Sequence, residues 1–194
     1  SARVLPFIED GCALQLGLGK IPSALTALLT DRRRLRLHSG MLSDGLIDLA
    51  RAGALDPDFM HTSCVLVGSE QLYRTAPDLD RLRLAACDFT HHPGTLAGIE
   101  RFVAVNSALE VDLFGQCNLE HASGRAVSGA GGAPDFARAA HLSSRGCSIV
   151  ALNATFGAGA GSRIVPSLTD RAITTLSRVD VDVVVTEFGA ARLS

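Results

Sequence analysis

Aromatic residues are scarce in this sequence of 194 residues. They make up 5% of it, with no tryptophan and one tyrosine, whereas there are 19 glycines and 47% of the residues are hydrophobic. A core of small aliphatic side chains suits layered α/β folds, in which helices pack closely on a sheet. A chain of this length buries roughly 70% of its unfolded surface, so the sequence predicts one domain with a substantial core.

An excess of charge of either sign is also missing. The 18 Lys and Arg residues stand against 20 Asp and Glu residues, which gives a formal net charge of −2. Proteins that bind nucleic acid neutralise its phosphates with clustered basic residues, so this balance predicts no nucleic-acid partner. The one basic run, Arg32-Arg33-Arg34 with Arg36, lies between a helical and an apolar segment and is interpreted as a solvated turn.

Long apolar runs and paired cysteines are absent as well. No stretch approaches the roughly 18 to 20 apolar residues that span a bilayer, and residues 1–10 lack the features of a signal peptide. The sequence therefore predicts a cytoplasmic protein with no membrane contact. The five cysteines, odd in number and without C-x-x-C spacing, are interpreted as small buried apolar residues rather than disulfides or zinc ligands. They are Cys12, Cys64, Cys87, Cys117 and Cys147.

Short apolar runs alternate with segments of helical period along the chain. Helices are predicted at 22–29, 46–52, 69–73 and 134–142. Strands are predicted at 12–16, 35–38, 64–67, 82–87, 102–105, 148–152, 164–165, 173–176 and 181–185, with a hairpin at 110–118. This alternation predicts an α/β fold with layers, a mainly parallel sheet with flanking helices and some antiparallel edge.

Two glycine-rich loops follow predicted strands and precede predicted helices. They are Gly17-Leu18-Gly19-Lys20-Ile21-Pro22 and Ser128-Gly129-Ala130-Gly131-Gly132. Backbone N–H groups at such positions can bind an anion or a developing oxyanion. The first loop lacks the third glycine of the dinucleotide fingerprint and the Gly-Lys-Ser/Thr of a nucleotide P-loop. On spacing alone, a tight strand-to-helix turn is as good an interpretation of this loop as a binding site.

Six segments carry a resemblance that no single motif would establish. They are DGCALQLGLGKIP (10–22), HSGMLSDGLIDL (38–49), VNSALEVDLFGQCN (105–118), SGAGGAPDF (128–136), SRIVP (162–166) and DVVVTEFG (182–189). In this order they make almost the whole chain resemble the second half of the class I coenzyme A transferases, in the branch of acetyl-CoA hydrolase/transferase and 4-hydroxybutyrate CoA-transferase. The resemblance implies that residues 1–194 form one C-terminal-like domain with a CoA-transferase-like fold, and that the family's N-terminal half is absent.

The resemblance also implies an activity. Members of this family move coenzyme A between carboxylic acids through a glutamyl-CoA thioester, in a cleft between two α/β domains. A carboxylate attacks the acyl-CoA carbonyl, and backbone N–H groups hold the oxyanion that forms. We therefore expect coenzyme A or acyl-CoA as substrate together with a small carboxylic acid, with no tightly bound cofactor and no metal. The expected protein partner is a second copy of this chain or a chain that supplies the missing half.

The family's functional positions carry over onto particular residues of this sequence. The residues implied to contact coenzyme A are Gly17, Leu18, Gly19, Lys20, Ile21, Gly129, Gly131, Gly132 and Gly157. The backbone N–H groups of Leu18 and Gly131 would be the oxyanion donors. Glu187 matches a family carboxylate near the active site, although a surface glutamate at a strand end is an equally good interpretation.

Three positions depart from the family's pattern. Gly40 stands where the nucleophilic glutamate belongs, and His91 stands where the family has an asparagine that helps to shape the site. The family lysine of the later small-residue loop falls at or near Gly157, and Lys20 is the only lysine of this sequence. A glycine has no side chain that can form a thioester, so the ordinary covalent mechanism is not expected for this chain.

Three explanations of these departures stay open. Gly40 could be an altered residue in an ordinary transferase. The chain could be a divergent member that binds CoA esters without transferring them; a related alternative is a non-catalytic binding or structural partner of a chain that carries the missing half. His91 could act as a general base on water and make the protein an acyl-CoA hydrolase, since histidines titrate near neutral pH. A purely structural alternative is that His91 and His92 cap a loop before Pro93. A metal site is not expected at this pair, because no third ligand in the nearby sequence completes a set.

Other polar residues are interpreted as structural. Ser43 or Asp44 is placed to cap the predicted second helix. Arg138, early in the predicted last helix, would face either solvent or a CoA phosphate. Glu110 and Asp112 alternate along one strand and therefore share a face, where we expect them to form a hydrogen-bonded scaffold.

Overall fold

A computed structural model describes residues 1–17, 19–169 and 172–193 of the chain. The strands are β1 (Ala13–Leu16), β2 (Arg36–Leu42), β3 (His61–Leu66), β4 (Leu82–Leu84), β5 (Phe102–Ser107), β6 (Glu110–Asp112), β7 (Cys117–Asn118), β8 (His121–Ala122), β9 (Arg125–Ala126), β10 (Cys147–Ala151), β11 (Thr155–Phe156), β12 (Gly161–Ser162), β13 (Ile164–Val165), β14 (Val183–Val185) and β15 (Ala190–Arg192). The helices are α1 (Lys20–Leu28), α2 (Gly45–Arg51), α3 (Glu70–Thr75), α4 (Cys87–Thr90), α5 (Pro93–Ala97) and α6 (Ala133–Leu142). Short 3-10 helices occur at Ala2–Phe7, Ala76–Asp78, Gly157–Gly159 and Arg178–Asp180.

Eight strands form the central sheet, in the order β15-β14-β10-β5-β1-β2-β3-β4. Every neighbouring pair is parallel except β14 with β15, which is antiparallel and closes one edge. The remaining strands form three small sheets, one of which pairs β6 with β7 as an antiparallel hairpin. The predicted α/β class, with a mainly parallel sheet, flanking helices and an antiparallel edge, is confirmed.

The chain reverses its direction of travel across the sheet next to β1. From β1 it proceeds through β2, β3 and β4 toward one edge, and it returns with β5 on the other side of β1. The connections that leave β1 and β5 therefore diverge, which opens a crevice at the carboxyl ends of these strands. Ligands of open α/β sheets bind at such a point.

The two faces of the sheet are buried by different helices. Leu14 and Val103 point to one face, where they pack with Leu25 of α1. Ala13 and Ala104, on the opposite face, pack with α6. The small side chains on this second face let the helix approach the strands closely, as the composition predicts. In the described part of the chain, no helix is both long enough and apolar enough to cross a bilayer.

Three local predictions are wrong. In place of a strand at 173–176, the described residues form one bridge, between Leu176 and Cys117. The predicted strand at 82–87 ends at Leu84, and α4 begins at Cys87. β2 extends to Leu42 rather than ending at His38, because the residues after His38 continue to pair with β3. This extension carries residue 40 to the carboxyl edge of the sheet.

The predicted side-chain cap of α2 is also wrong. Asp44 precedes this helix, but its own backbone is already helical, with φ −52° and ψ −29°, whereas a capping side chain needs an extended residue. Its carboxylate instead accepts hydrogen bonds from the backbone N–H and the hydroxyl of Ser69, at 3.0 and 2.7 Å. Asp44 therefore ties the start of α2 to the start of α3.

Candidate functional site

A cavity of about 310 Å³ lies in the crevice at the carboxyl ends of β1, β2 and β5. Both glycine-rich loops reach it, the first through Gly17 and the second through residues 128–132. Gly40 and His91 lie in its wall as well. The fold therefore brings together the two loops and the two departures from the family's pattern, although they are far apart in the sequence.

The first loop is held close to the end of β5. The Gly17 N–H donates to the carbonyl of Val105 at 2.8 Å, and a Cβ on Gly17 would lie 2.8 Å from the amide oxygen of Asn106. A side chain at residue 17 would therefore force Asn106 to move. Gly19 then precedes α1 with a φ of 123°, and none of the described side chains caps the helix. The N–H groups of its first turn are thus free of a side-chain cap.

The other predicted residues of the first loop differ in position. Lys20 is exposed at the start of α1, and Ile21 is half-buried against the core. Leu18, the predicted oxyanion donor, lies outside the described residues. Of this loop, Gly17 is therefore the residue that the described structure places directly in the cavity wall.

The second loop leads into α6, whose first residues also have no side-chain cap. Gly131 adopts a φ of 53°, in the left-handed region, with open space around the position of a Cβ. Glycine is therefore favoured at position 131 by the backbone conformation. At position 132 the dihedral angles are ordinary, and glycine is favoured for a steric reason, because a Cβ there would overlap Nε2 and Cδ2 of His91.

His91 lies between Gly40 of β2 and Gly132 of the second loop. Its Nδ1 is hydrogen-bonded to the hydroxyl of Thr90 at 2.8 Å, and its ring lies 4.7 Å from the ring of Phe136. Its Nε2 faces the backbone of Gly40, where a Cβ would lie 3.0 Å from it. The imidazole thus occupies the space into which a side chain at position 40 would project.

A second histidine lies beneath this cavity. His38 is buried, and its Nε2–H donates to the backbone carbonyl of Thr90 at 2.8 Å. Burial lowers its pKa, and the nearby Arg83 adds to that effect. His38 is therefore a neutral structural group that supports the residues of α4, and it is not a candidate proton donor.

The stability of the fold should depend on pH through two histidines. Burial lowers the pKa of both His38 and His61 from the ordinary value of 6.5. Below about pH 6.5 the unfolded chain binds protons that the native chain does not, so the free energy of unfolding falls as pH falls, by up to about 1.4 kcal/mol per histidine per pH unit. We expect the urea midpoint to be lower at pH 5.5 than at pH 7.5.

Two variants test that assignment. His61→Gln should reduce the pH dependence of the urea midpoint, whereas His92→Gln, at an exposed position, should leave it unchanged. A wild-type midpoint that stays constant or rises on acidification would contradict the assignment.

The cysteines divide into two groups. Cys12, Cys117 and Cys147 are buried, as predicted, and burial raises the pKa of Cys117 to about 12 and that of Cys147 to about 11. The thiols of Cys117 and Cys147 are therefore inert. For the other two the prediction of burial is wrong. Cys87 is exposed because it begins α4 at the surface, and Cys64 is half-buried in the cavity wall.

The predicted carboxylate scaffold is confirmed. Glu110 is buried and accepts hydrogen bonds from the Thr169 hydroxyl and the Asn118 amide, at 2.9 and 3.0 Å. Asp112 is buried and accepts from the backbone N–H groups of Phe114 and Gln116. Both carboxylates hold the β6–β7 hairpin together.

Three predicted residues lie away from the cavity wall. The Glu187 carboxylate accepts from the backbone N–H of Ala154 at 2.7 Å, at the end of β14. Gly157 lies in an exposed 3-10 turn. Arg138 pairs with Asp180 through two hydrogen bonds of 3.0 and 2.9 Å, which anchor its guanidinium. His92, the neighbour of His91, caps α5 by accepting from the Gly94 N–H, as the structural interpretation of that pair predicts.

Sequence reasoning missed several groups around the cavity. Thr90 orients His91, and Phe136 supports its ring from α6. Ser107 is the last residue of β5, and its hydroxyl is buried with no hydrogen-bond partner among the described residues. The position of Ser107 at the end of a buried strand is the one signal that could have indicated it. Within the described residues, no group of three or more His, Cys, Asp or Glu side chains is placed to hold a metal ion.

Known proteins resemble this chain in both sequence and fold. A profile described as the acetyl-CoA hydrolase/transferase C-terminal domain matches residues 68–194. The 4-hydroxybutyrate coenzyme A transferase of Clostridium kluyveri is 38% identical over 192 residues, which cover 96% of this chain and 45% of that protein. This chain thus spans less than half the length of that relative.

Solved structures extend the likeness. The crystal structure of RipA from Yersinia pestis matches with a TM-score of 0.91 and 32% identity, over 100% of this chain and 45% of that one. The 4-hydroxybutyrate CoA-transferase from Porphyromonas gingivalis matches with a TM-score of 0.84 and 32% identity, over 99% of this chain and 46% of that one. In each case this chain corresponds to less than half of the similar protein.

Proposed function

We propose that this chain, which belongs to the acetyl-CoA hydrolase/transferase family, binds a CoA thioester in the cavity at the carboxyl ends of β1, β2 and β5. The observation that carries the proposal is the convergence of two glycine-rich loops on one cavity, each leading into a helix without a side-chain cap. Free N–H groups at helix starts attract anions, and coenzyme A carries phosphates.

The thioester oxygen would lie near the second loop. The positive φ of Gly131 turns the backbone between an exposed loop and the start of α6, and a glycine at such a position lets a ligand approach the backbone closely. We assign the N–H of Gly131 as a donor to the thioester oxygen, and Gly17, Gly129 and Gly132 as neighbours of the ligand. Leu18 remains the proposed second donor.

The family's covalent step is not part of this proposal. Position 40 carries no carboxylate, and the His91 ring occupies the space in front of it. We therefore propose binding of the CoA thioester without a glutamyl thioester at residue 40. A carboxylic acid as the acceptor of coenzyme A is proposed from the resemblance alone. The same holds for the protein partner, which would be a second copy of this chain or a chain with the family's other half.

Calorimetric titration with acetyl-CoA tests the proposal. The wild-type chain should bind it. Gly131→Ala keeps the N–H but strains the left-handed backbone that aims it, so the affinity should weaken about tenfold, roughly the loss of one hydrogen bond to the ligand. Gly124→Ala is the matched control, because Gly124 also has a left-handed backbone, with a φ of 72°, and open space around a Cβ. If the folded wild type takes up neither acetyl-CoA nor free CoA at millimolar concentration, the proposal fails.

Hydrolysis of the bound thioester is a second candidate function. It is favoured by one observation, the fixed imidazole of His91 with Nε2 beside Gly40 in the cavity wall. Nε2 would take a proton from water as the oxygen attacks the thioester carbonyl, and would return it to the departing CoA sulfur. The products would be the carboxylic acid and free CoA.

A further inference from the structure

A cysteine lies beside position 40 on the neighbouring strand. β2 and β3 are parallel, with Ser39 opposite Ser63 and Met41 opposite Val65. This register places Cys64 next to Gly40. Neighbouring residues at one register point to the same face of a sheet, and the Cβ direction of Gly40 faces His91 and the cavity. The Cys64 side chain therefore lies on the same face as His91.

Two further groups in this cavity point to a ligand that reacts there. The imidazole of His91 lines the cavity and is held through Nδ1, which leaves Nε2 for the cavity side. Ser107 also lines this cavity, and its hydroxyl oxygen is buried beside Gly19 with no hydrogen-bond partner among the described residues. Cys64, His91 and Ser107 thus line one cavity.

We propose that Cys64 accepts the acyl group of a CoA thioester bound in this cavity and so serves as the nucleophile in place of a carboxylate at position 40. The inference rests on the proposed function, since it needs the thioester in the same cavity. It differs from hydrolysis by water, because a covalent acyl-enzyme forms. Cys64 is the one of the five cysteines that is both accessible and placed in the cavity wall.

The step is a thioester exchange and needs no further reactant. His91 takes the proton of the Cys64 thiol, and the sulfur attacks the thioester carbonyl. The new carbon–sulfur bond to Cys64 forms as the bond to the CoA sulfur breaks. The CoA thiolate then takes the proton from His91. One thioester replaces another, so the exchange is near equilibrium, and the acyl group can pass to water or return to CoA.

Acid-quenched mass spectrometry of the chain mixed with acetyl-CoA tests the proposal. We expect one acetyl group on Cys64, removable by hydroxylamine, with a rate that saturates as acetyl-CoA increases. The exposed Cys87 provides an internal control that should react slowly and without saturation. His91→Gln should slow acetylation of Cys64 about 100-fold, the lower part of the range for a positioned general base.

Two variants make the result decisive. Cys64→Ala should lose the hydroxylamine-sensitive acetyl group, and Cys87→Ser, at an exposed residue outside the cavity, should keep both this acetyl group and the binding of acetyl-CoA by calorimetry. Wild-type protein that binds acetyl-CoA but acetylates Cys64 no faster than Cys87 would overturn the role of Cys64 and leave the proposed function standing. Protein that does not bind acetyl-CoA at all would overturn both.

Discussion

Gly132→Ala is expected to lower the free energy of unfolding by about 1 to 3 kcal/mol, the usual cost of overpacking. The added Cβ would overlap the His91 ring and lie 2.8 Å from Cε2 of Phe136. The ring cannot retreat easily, because Thr90 holds Nδ1 and Phe136 lies against it. Denaturation with urea measures the loss, and calorimetry should show that acetyl-CoA binding weakens as well.

Three comparisons isolate the cause of that loss. Gly40→Ala should cost less, because its Cβ would lie 3.0 Å from His91 Nε2. Gly129→Ala, with no atom within 4 Å of the new Cβ, should cost nothing measurable. In the double variant, His91→Ala should remove most of the loss in unfolding free energy that Gly132→Ala causes. A double-mutant cycle measures this coupling. Equal losses in Gly132→Ala and Gly129→Ala would contradict this account of the cavity.

If the chain hydrolyses acyl-CoA, His91→Ala is expected to slow thiol release by about 100-fold or more, as for other positioned general bases. The reason is geometric, because Nε2 is the imidazole nitrogen on the side of Gly40 and the cavity. The measurement is release of free CoA from acetyl-CoA, followed with a thiol reagent at saturating substrate.

His92→Ala is the control for that experiment. His92 is exposed and caps α5, so its loss affects the helix start and not the cavity. Its thiol release should match the wild type. If His91→Ala and the wild type release thiol at the same rate, the hydrolase candidate is to be dropped, and binding of the thioester stands on its own.

The sequence was most informative where the signal is local. Alternating apolar runs and helical segments predict the parallel sheet and its helices, because periodicity depends on neighbours along the chain. The buried scaffold of Glu110 and Asp112 followed from their alternation on one strand. The wrong predictions were local too: the backbone of Asp44 is already helical, so its side chain turns to Ser69 instead of capping α2.

The cavity itself could not be predicted from local signals. In the sequence, Gly40 and His91 look like two separate departures from a family pattern. In the structure they are one steric arrangement, since the imidazole fills the space that a side chain at position 40 would need. Likewise, Cys64 joins the cavity only because of the register between β2 and β3. Contacts between distant segments depend on how the helices cross the sheet, and no short motif encodes them.

The residues that the resemblance implies to lie at the active site do not all meet in the cavity. Gly17, Gly129, Gly131 and Gly132 line it. Glu187 instead bonds to the backbone of Ala154, where it stabilises the connection after β10. Glu187 is therefore not among the residues that line the cavity, and a role beside a bound ligand would require that ligand to extend beyond the cavity.

Alkylation of Cys64 in the presence of a CoA analogue without a thiol, desulfo-CoA, tests the central claim most directly. Cys64 lines the proposed binding cavity, whereas Cys87 is exposed at the start of α4. Saturating analogue should slow the reaction of iodoacetamide with Cys64 in proportion to the occupied fraction of the protein and leave Cys87 unaffected. If Cys64 reacts at an unchanged rate while calorimetry shows the analogue to be bound, the ligand lies elsewhere and the claim is contradicted.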